Sequence, residues 1–321
     1  MSPSVASNKQ TVTYRTVRGL DIKLDYVLPD RQLKDGEKVP VVVWFHGGGL
    51  VQVTSALYPH LKNAPNAHDV ALISPDYRLA PQTKFPEILS DLTSLFTFLL
   101  SPAFAKQTEN KIDFTRMVTM GSSAGGWLSL LSGLNIGFKE SKQRYEEGLL
   151  DGRVRGVVGI YPITSVEHEF WHTKQHPVSY YGRVVEKEEL KVPLDPKSDE
   201  IAATDNEDER NKMYTYMIQE GILQDLLLEN TGVDPSAFTV AKAIKDGRTV
   251  EPLPPIYLVH GTSDDKVPHS QSVEVFEALK EKGFGDLVTY EEKEGLDHSY
   301  DAEEKEEMKD MWDWVTKKLR A

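Results

Sequence analysis

The 321-residue sequence contains no cysteine. That absence removes disulfides, cysteine-ligated zinc, iron–sulfur clusters and thiol nucleophiles together, so any nucleophile must be an oxygen or a nitrogen. Basic residues are in deficit: 37 Lys and Arg face 50 Asp and Glu, a formal net charge of −13. Such a field repels phosphate backbones and anionic membranes, which argues against nucleic acid as a partner. No stretch approaches the roughly 18 consecutive apolar residues of a membrane-crossing helix. The opening MSPSVASNKQ lacks both the basic-then-apolar pattern of a secretory leader and the Arg-rich character of a transit peptide. A soluble, cytoplasmic protein without a membrane span is expected. Internal repeats and low-complexity tracts are lacking too.

Hydrophobic residues make up 39% of the chain, enough for a large core, so wholesale disorder is excluded. Residues 11–29 alternate around β-branched and aromatic side chains with Gly19 between two runs, the pattern of an antiparallel hairpin at a sheet edge. VPVVVWFHGGG (39–49) is a continuous apolar run ending in glycines, as expected of a strand buried on both faces. The pattern recurs at 70–79, 117–126, 154–162 and 255–261, and a last strand-like run, DLVTYEEKEG, begins at 286. Helical stretches such as ILSDLTSLFTFLL (88–100) lie between them. Strand and helix in alternation predict an α/β fold with a parallel, doubly wound sheet.

The rhythm breaks between Pro162 and Pro252. Residues 164–250 read as an inserted cap, with the core formed by 1–163 and 251–321. Within the insertion, 186–210 is a charged, solvated connection and 211–230 an amphipathic helix. An apolar helical face beyond the carboxyl end of a strand is well sited to cover a pocket. The terminal stretch 301–320 carries acids early and bases late, as a helix macrodipole prefers, with Met308, Trp312 and Val315 on one face. A single packing helix is expected there.

Gly121-Ser122-Ser123-Ala124-Gly125 follows the strand-like MVTM and opens into the helix-compatible WLSLLSGL. The G-x-S-x-G pattern in strand–turn–helix context nominates Ser123 as nucleophile, because a reversal this sharp lifts the hydroxyl above the sheet and crowds any Cβ at the flanking glycines. His46-Gly47-Gly48-Gly49 ends another buried strand, where bare amides can approach a developing oxyanion. An ordinary glycine turn is the plainer reading of each motif alone.

These motifs, together with Asp76-Tyr77-Arg78-Leu79-Ala80-Pro81 followed by Phe85-Pro86 and Asp91, resemble the hormone-sensitive lipase family of α/β-hydrolases, which includes carboxylesterases and arylacetamide deacetylase-like enzymes. The resemblance is dense over 39–135 and sparse over 250–300. It implies an α/β-hydrolase fold and a serine carboxylesterase, with oxyanion donors at the backbone amides of Gly48, Gly49 and Ala124. Ser122 stands where the family usually has an acid. In the order nucleophile, acid, histidine, the loop Thr262-Ser263-Asp264-Asp265-Lys266-Val267-Pro268 aligns Asp264 as the acid, with Asp265 as near alternative. Gly295-Leu296-Asp297-His298 matches the family's G-x-x-H loop and nominates His298 as base, although Ser299-Tyr300 replaces the usual Gly-Phe. His269, at a helix start, is a decoy. Asp76 and Arg78 are expected to form a structural pair bracing the oxyanion loop.

One constellation competes. His168-Glu169-Phe170-Trp171-His172, with His176 another four residues on, is a literal H-E-x-x-H and would hold zinc on a helix face. The serine apparatus calls for no metal or organic cofactor, and the aromatics and histidines of this segment are read instead as a lid stem; Phe170, Trp171, Tyr180 and Tyr181 suit an apolar pocket, with plain core packing at least an equal reading. The expected partner is a small-molecule ester or lactone. A ligand receptor, or a lactonase, cyclase or acyltransferase acting on a biosynthetic intermediate, remains an alternative on the same scaffold. The edge hairpin and the terminal helix are the surfaces through which a homodimer would form.

Overall fold

A computed structural model describes residues 8–53, 57–141, 148–203 and 209–321. Part of the opening stretch and residues 204–208 of the charged connection thus lie outside the described residues. Eight strands form one sheet: β1 (Gln10–Val17), β2 (Leu20–Val27), β3 (Val39–Phe45), β4 (Ala71–Pro75), β5 (Ile112–Ser122), β6 (Val154–Ile160), β7 (Ile256–Gly261) and β8 (Val288–Lys293). Their spatial order is β1-β2-β4-β3-β5-β6-β7-β8. The β1–β2 hairpin is antiparallel and lies at one edge, and β2 pairs antiparallel with β4. All remaining pairings are parallel. The helices are α1 (Pro59–His68), α2 (Phe85–Leu99), α3 (Pro102–Gln107), α4 (Ala124–Leu134), α5 (Met213–Glu220), α6 (Leu223–Leu228), α7 (Val240–Lys245), α8 (Ser270–Glu281) and α9 (Lys309–Arg320). None is long and apolar enough to cross a membrane, among the described residues.

Period-two geometry divides the core into two layers. Val41, Val43 and Phe45 of β3 join the apolar faces of α2, α4 and α8. Val42 and Trp44, on the opposite face, join Leu61 and Ala64 of α1 and Met311, Trp312 and Val315 of α9. Burial on both faces explains why β3 reads as an uninterrupted apolar run. Each fully buried side chain of this size contributes about 1.5–3 kcal/mol, so the two layers supply the rigid sheet on whose carboxyl edge the loops sit.

Between β6 and β7 no strand occurs among the described residues; the segment consists of short 3₁₀ turns with α5, α6 and α7. Two helical expectations are corrected here. The 211–230 stretch is not one helix: α5 ends at Gly221, left-handed at φ 65°, and α6 starts afresh at Leu223. The terminal helix starts only at Lys309, with Met308 left-handed at φ 48°. Glu303, Glu304, Glu306 and Glu307 would crowd like charges onto consecutive turns, while Asp301 is completely buried in a 3₁₀ turn with partners of its own.

Candidate active site

Ser123 occupies the turn between β5 and α4 at φ 55°, ψ −122°, a conformation costly for a residue with a Cβ. Neighbouring backbone over-determines it. Its N–H donates to Ile160 O at 2.9 Å, and its carbonyl accepts from Ile163 N at 3.1 Å and Trp127 N at 3.2 Å. Gly125 makes the reversal compatible with close packing: a Cβ there would sit 2.0 Å from Phe45 O and 2.4 Å from His46 O, so only glycine lets α4 descend onto β3. Ser123 is 4% exposed, and among the described residues its hydroxyl has no hydrogen-bond partner.

The loop after β3 lies alongside. Gly48 and Gly49 take φ 105° and 65°, and a Cβ on Gly49 would meet the Tyr214 ring at 2.7 Å. The Gly48 carbonyl accepts from Val51 N and Gln52 N, both at 3.1 Å, which turns the loop back on itself. Among the described residues, the N–H groups of Gly48, Gly49 and Ala124 have no acceptor. Ala124 heads α4, where unpaired donors and the positive end of the helix dipole coincide. His46 stacks on Tyr77 with centroids 4.2 Å apart. Burial pushes its imidazole down to about 4 despite the Gly47 carbonyl, so it is neutral at pH 7. Arg210, from the segment preceding α5, donates to Val51 O and Ala80 O at 2.9 Å each and braces this loop from the other side.

Of the two adjacent acids after β7, Asp264 faces His298: Nδ1 to Oδ2 is 2.7 Å, and the Asp264 side chain is inaccessible. Its Oδ1 accepts from the Lys266 and Val267 amides, both at 2.9 Å. Burial alone would raise the carboxyl, but hydrogen bonds from His260 and His298 outweigh it and hold Asp264 well below the usual carboxylate range. Asp265 turns away, accepting from Ser179 Oγ at 2.9 Å and Lys266 Nζ at 3.1 Å. His269 is engaged by Tyr290 at 2.6 Å and Glu292 at 3.1 Å rather than by either acid.

The His298 ring lies 4.3 Å from that of Tyr161, the residue that follows β6 at φ 36°. Tyr161 donates its hydroxyl to buried Asp301. Asp301 also meets His60 Nε2 at 3.2 Å, and Trp312 Nε1 donates to His60 Nδ1 at 3.2 Å. The imidazole thus packs against a tilted ring anchored in a buried polar chain. No hydrogen bond joins His298 to Ser123. Asp264 and His298 are brought together, while the serine waits one strand away, its N–H bonded to the end of β6 that carries Tyr161.

One sequence expectation ends differently. Arg78 does not pair with Asp76: its guanidinium grips fully buried Asp91 of α2, with Nε–Oδ2 and Nη2–Oδ1 both 3.0 Å, and reaches Glu200 at 3.0 Å. A buried guanidinium takes the carboxylate that offers two-oxygen geometry. Asp76 is instead tethered by its backbone to Lys23 and Tyr14. Burial, with Asp25 adding to it, pushes its carboxyl up to about 7. The H-E-x-x-H stretch is a 3₁₀ turn rather than an α-helix, so its two histidines do not share a face. His168 Nε2 reaches Ser270 Oγ at 3.0 Å, His172 Nε2 reaches Val166 O at 3.1 Å, and His176 pairs with Glu220 at 3.1 Å.

Sequence reasoning missed His260, fully buried on β7 and in contact with Asp264, and Tyr161 with Asp301. His260 stands four residues before the acid in the H-G-x-x-D run, a signal present in the motif but without an assigned role.

The BD-FAE family profile matches residues 24–193 and the prolyl oligopeptidase family profile matches 209–321. Methylphloroacetophenone synthase of Cladonia uncialis is 23% identical over 91% of this chain and 12% of its own length. Probable carboxylesterase 4, mitochondrial, of Arabidopsis thaliana is 27% identical over 47% of this chain and 40% of its own length. The chain therefore spans less than half the length of these relatives. An α/β hydrolase superfamily protein from Enterococcus faecalis superposes with a TM-score of 0.68 at 21% identity, covering 97% of this chain and 98% of that one.

Proposed function

Because the chain belongs to the BD-FAE family, and its HGGG and GSSAGG motifs resemble those of carboxylesterase-like α/β-hydrolases, we propose that it is a serine hydrolase of carboxylic esters. The 2.7 Å contact between Asp264 Oδ2 and His298 Nδ1 carries this reading. An acceptor-only carboxylate obliges Nδ1 to hold the imidazole's proton, which leaves Nε2 bare as a base. Ser123 attacks the ester carbonyl as its proton passes to His298 Nε2, the two atoms closing to hydrogen-bond distance in the substrate complex. The amides of Gly48, Gly49 and Ala124 receive the negative charge that develops on the carbonyl oxygen. Collapse expels the alcohol, which takes the proton from His298. Water then gives a proton to His298, adds to the acyl-serine and releases the acid, returning Ser123 to its hydroxyl form. Residues 164–250 act as the cap, with Tyr214 set against Gly49.

A second reading is favoured by one observation: a match to a non-reducing polyketide synthase of Aspergillus calidoustus runs over 88% of this chain. The same apparatus would then release or transfer the acyl group of a polyketide-like intermediate, the acyl-serine being attacked by a nucleophile other than water. A stopped-flow burst of nitrophenol from 4-nitrophenyl acetate, abolished in Ser123→Ala, tests the common step. Saturable ligand binding without any burst in the intact protein would overturn it in favour of a receptor. Burst without steady-state hydrolysis would favour the acyl-transfer reading.

A further inference from the structure

Asp264 Oδ2 has a second imidazole beside it. His260 Nε2 lies 3.3 Å from that oxygen and 3.0 Å from the Val267 carbonyl, and its Nδ1 lies 2.7 Å from Ser272 Oγ of α8. All three side chains are inaccessible to solvent. Hydrogen-bond chemistry fixes the proton positions. A carbonyl only accepts, so His260 Nε2 carries a hydrogen and shares it between Val267 O and Asp264 Oδ2. With burial disfavouring the imidazolium, Nδ1 is left as an acceptor and Ser272 donates to it. The result is a directed chain from Ser272 through His260 to Asp264, meeting His298 from the opposite direction. Together with the Lys266 and Val267 amides on Oδ1, four donors converge on one carboxylate.

We infer that His260, held in one tautomer by the Val267 carbonyl and oriented by Ser272, is a positioning residue for His298, acting through Oδ2 of Asp264. The planar carboxylate turns about its terminal torsion as one unit, so groups at both oxygens fix it: two amides on Oδ1 and two imidazoles at Oδ2. His260 and His298 flank it from two sides. The inference rests on Asp264 and His298 being the acid–base pair. The other titratable groups around the carboxylate are Asp265, Lys266 and Asp297 on adjoining loops, Tyr214 on α5 and His269 at the head of α8, whose ring lies 5.5 Å from that of His260.

The test uses the full chain with ¹⁵N-labelled histidine and three variants. The His298 Nδ1–H proton, hydrogen-bonded to a carboxylate, gives a low-field proton resonance assignable by its loss in His298→Gln. His260→Leu keeps volume without a donor, and is expected to move that resonance upfield and to lower kcat for 4-nitrophenyl acetate about tenfold, with KM within about twofold, the effect of one lost hydrogen bond. His260→Gln, whose amide can donate toward the same oxygen, restores most of both; Ser272→Ala, which removes the donor that orients the ring through Nδ1, falls between. A folded His260→Leu protein with an unmoved resonance and wild-type kcat overturns the inference, and so does a loss that Gln fails to rescue, since that marks a purely steric role. Should His260→Leu not fold, Ser272→Ala decides by the same resonance. Should the intact protein lack Ser123-dependent turnover, the hydrolase reading falls while the resonance still judges this one.

Discussion

Replacing Asp264 with Asn changes one atom type at the point where four donors meet. The carboxylate accepts at 2.7 Å from His298, 3.3 Å from His260, and 2.9 Å from each of the Lys266 and Val267 amides. An asparagine oxygen serves two of these. Left on the Oδ1 side, it keeps the backbone amides and turns its NH₂ toward two imidazole N–H groups, a clash of donors. His298 then relieves it by moving its proton to Nε2, which disables that nitrogen as a base for Ser123. A wrong-tautomer histidine in a serine triad costs about 10⁴-fold in kcat, so a loss of that order in kcat/KM is expected with 4-nitrophenyl acetate. Asp265→Asn, at a carboxylate that bonds Ser179 and Lys266 instead, should stay within about threefold. Stability supplies an independent reading. The Asp264 carboxyl is held below its unfolded value of about 3.9. Its contribution is therefore present above pH 4 and is lost as pH falls through the lower folded value. Urea unfolding should show the Asn variant less stable by about 1–3 kcal/mol at pH 7, the gap narrowing below pH 4. An Asn variant within tenfold of the wild-type kcat/KM, or an Asp265→Asn loss of equal size, would refute the assignment of the acid.

Two further perturbations address the surroundings. Tyr214 abuts Gly49 and donates its hydroxyl to Lys266 O at 2.9 Å, joining the Gly48–Gly49 loop to the loop that carries Asp264; Tyr214→Phe should cost about 1 kcal/mol in urea unfolding with acyl-chain preference kept. Tyr214→Ala should raise the octanoate-to-acetate ratio of kcat/KM for nitrophenyl esters severalfold, and an unchanged ratio would show that the ring does not wall the acyl side. Asp76 is pushed up to about 7, and a raised carboxyl loses stability as pH rises from about 4 through 7; Asp76→Asn should therefore be more stable than wild type by a few kcal/mol at pH 8 and equal to it at pH 4. With that group removed, His46, held down at about 4, leaves a contribution complete above pH 6.5 and lost toward pH 4, so the variant's stability should climb over that interval.

What the sequence made legible follows from which constraints are local. A parallel strand buried on both faces can only be apolar throughout, so β3 and β5–β7 were visible as runs, and the hairpin as an alternation. The elbow was visible because its geometry dictates residues at fixed offsets: Gly125 passes within reach of the Phe45 and His46 carbonyls, and Ser123 must stand between tight neighbours. Partner choice is not local in this way. Arg78 had an acid two residues away and took one thirteen residues away, because α2 delivers Asp91 fully buried. The acids from Asp301 onward suited a helix start by charge, yet Asp301 is spent on Tyr161 and on His60, 241 residues back in the chain.

The same distinction explains why the proposed base was easier to nominate than its supports. His298 is marked by the loop that carries it, whereas the ring beneath it comes from the end of β6 and the second donor to its acid comes from β7, each chosen by the spatial order of strands. Since β6 and β7 are neighbours in the sheet, Tyr161 and His260 reach the acid–imidazole pair from adjacent strand ends, one beneath the imidazole ring and one beside the carboxylate. A pair held from two directions loses little freedom when substrate binds, so the ordering cost is met during folding and the remaining adjustment falls on the single contact that is open here, between His298 and Ser123.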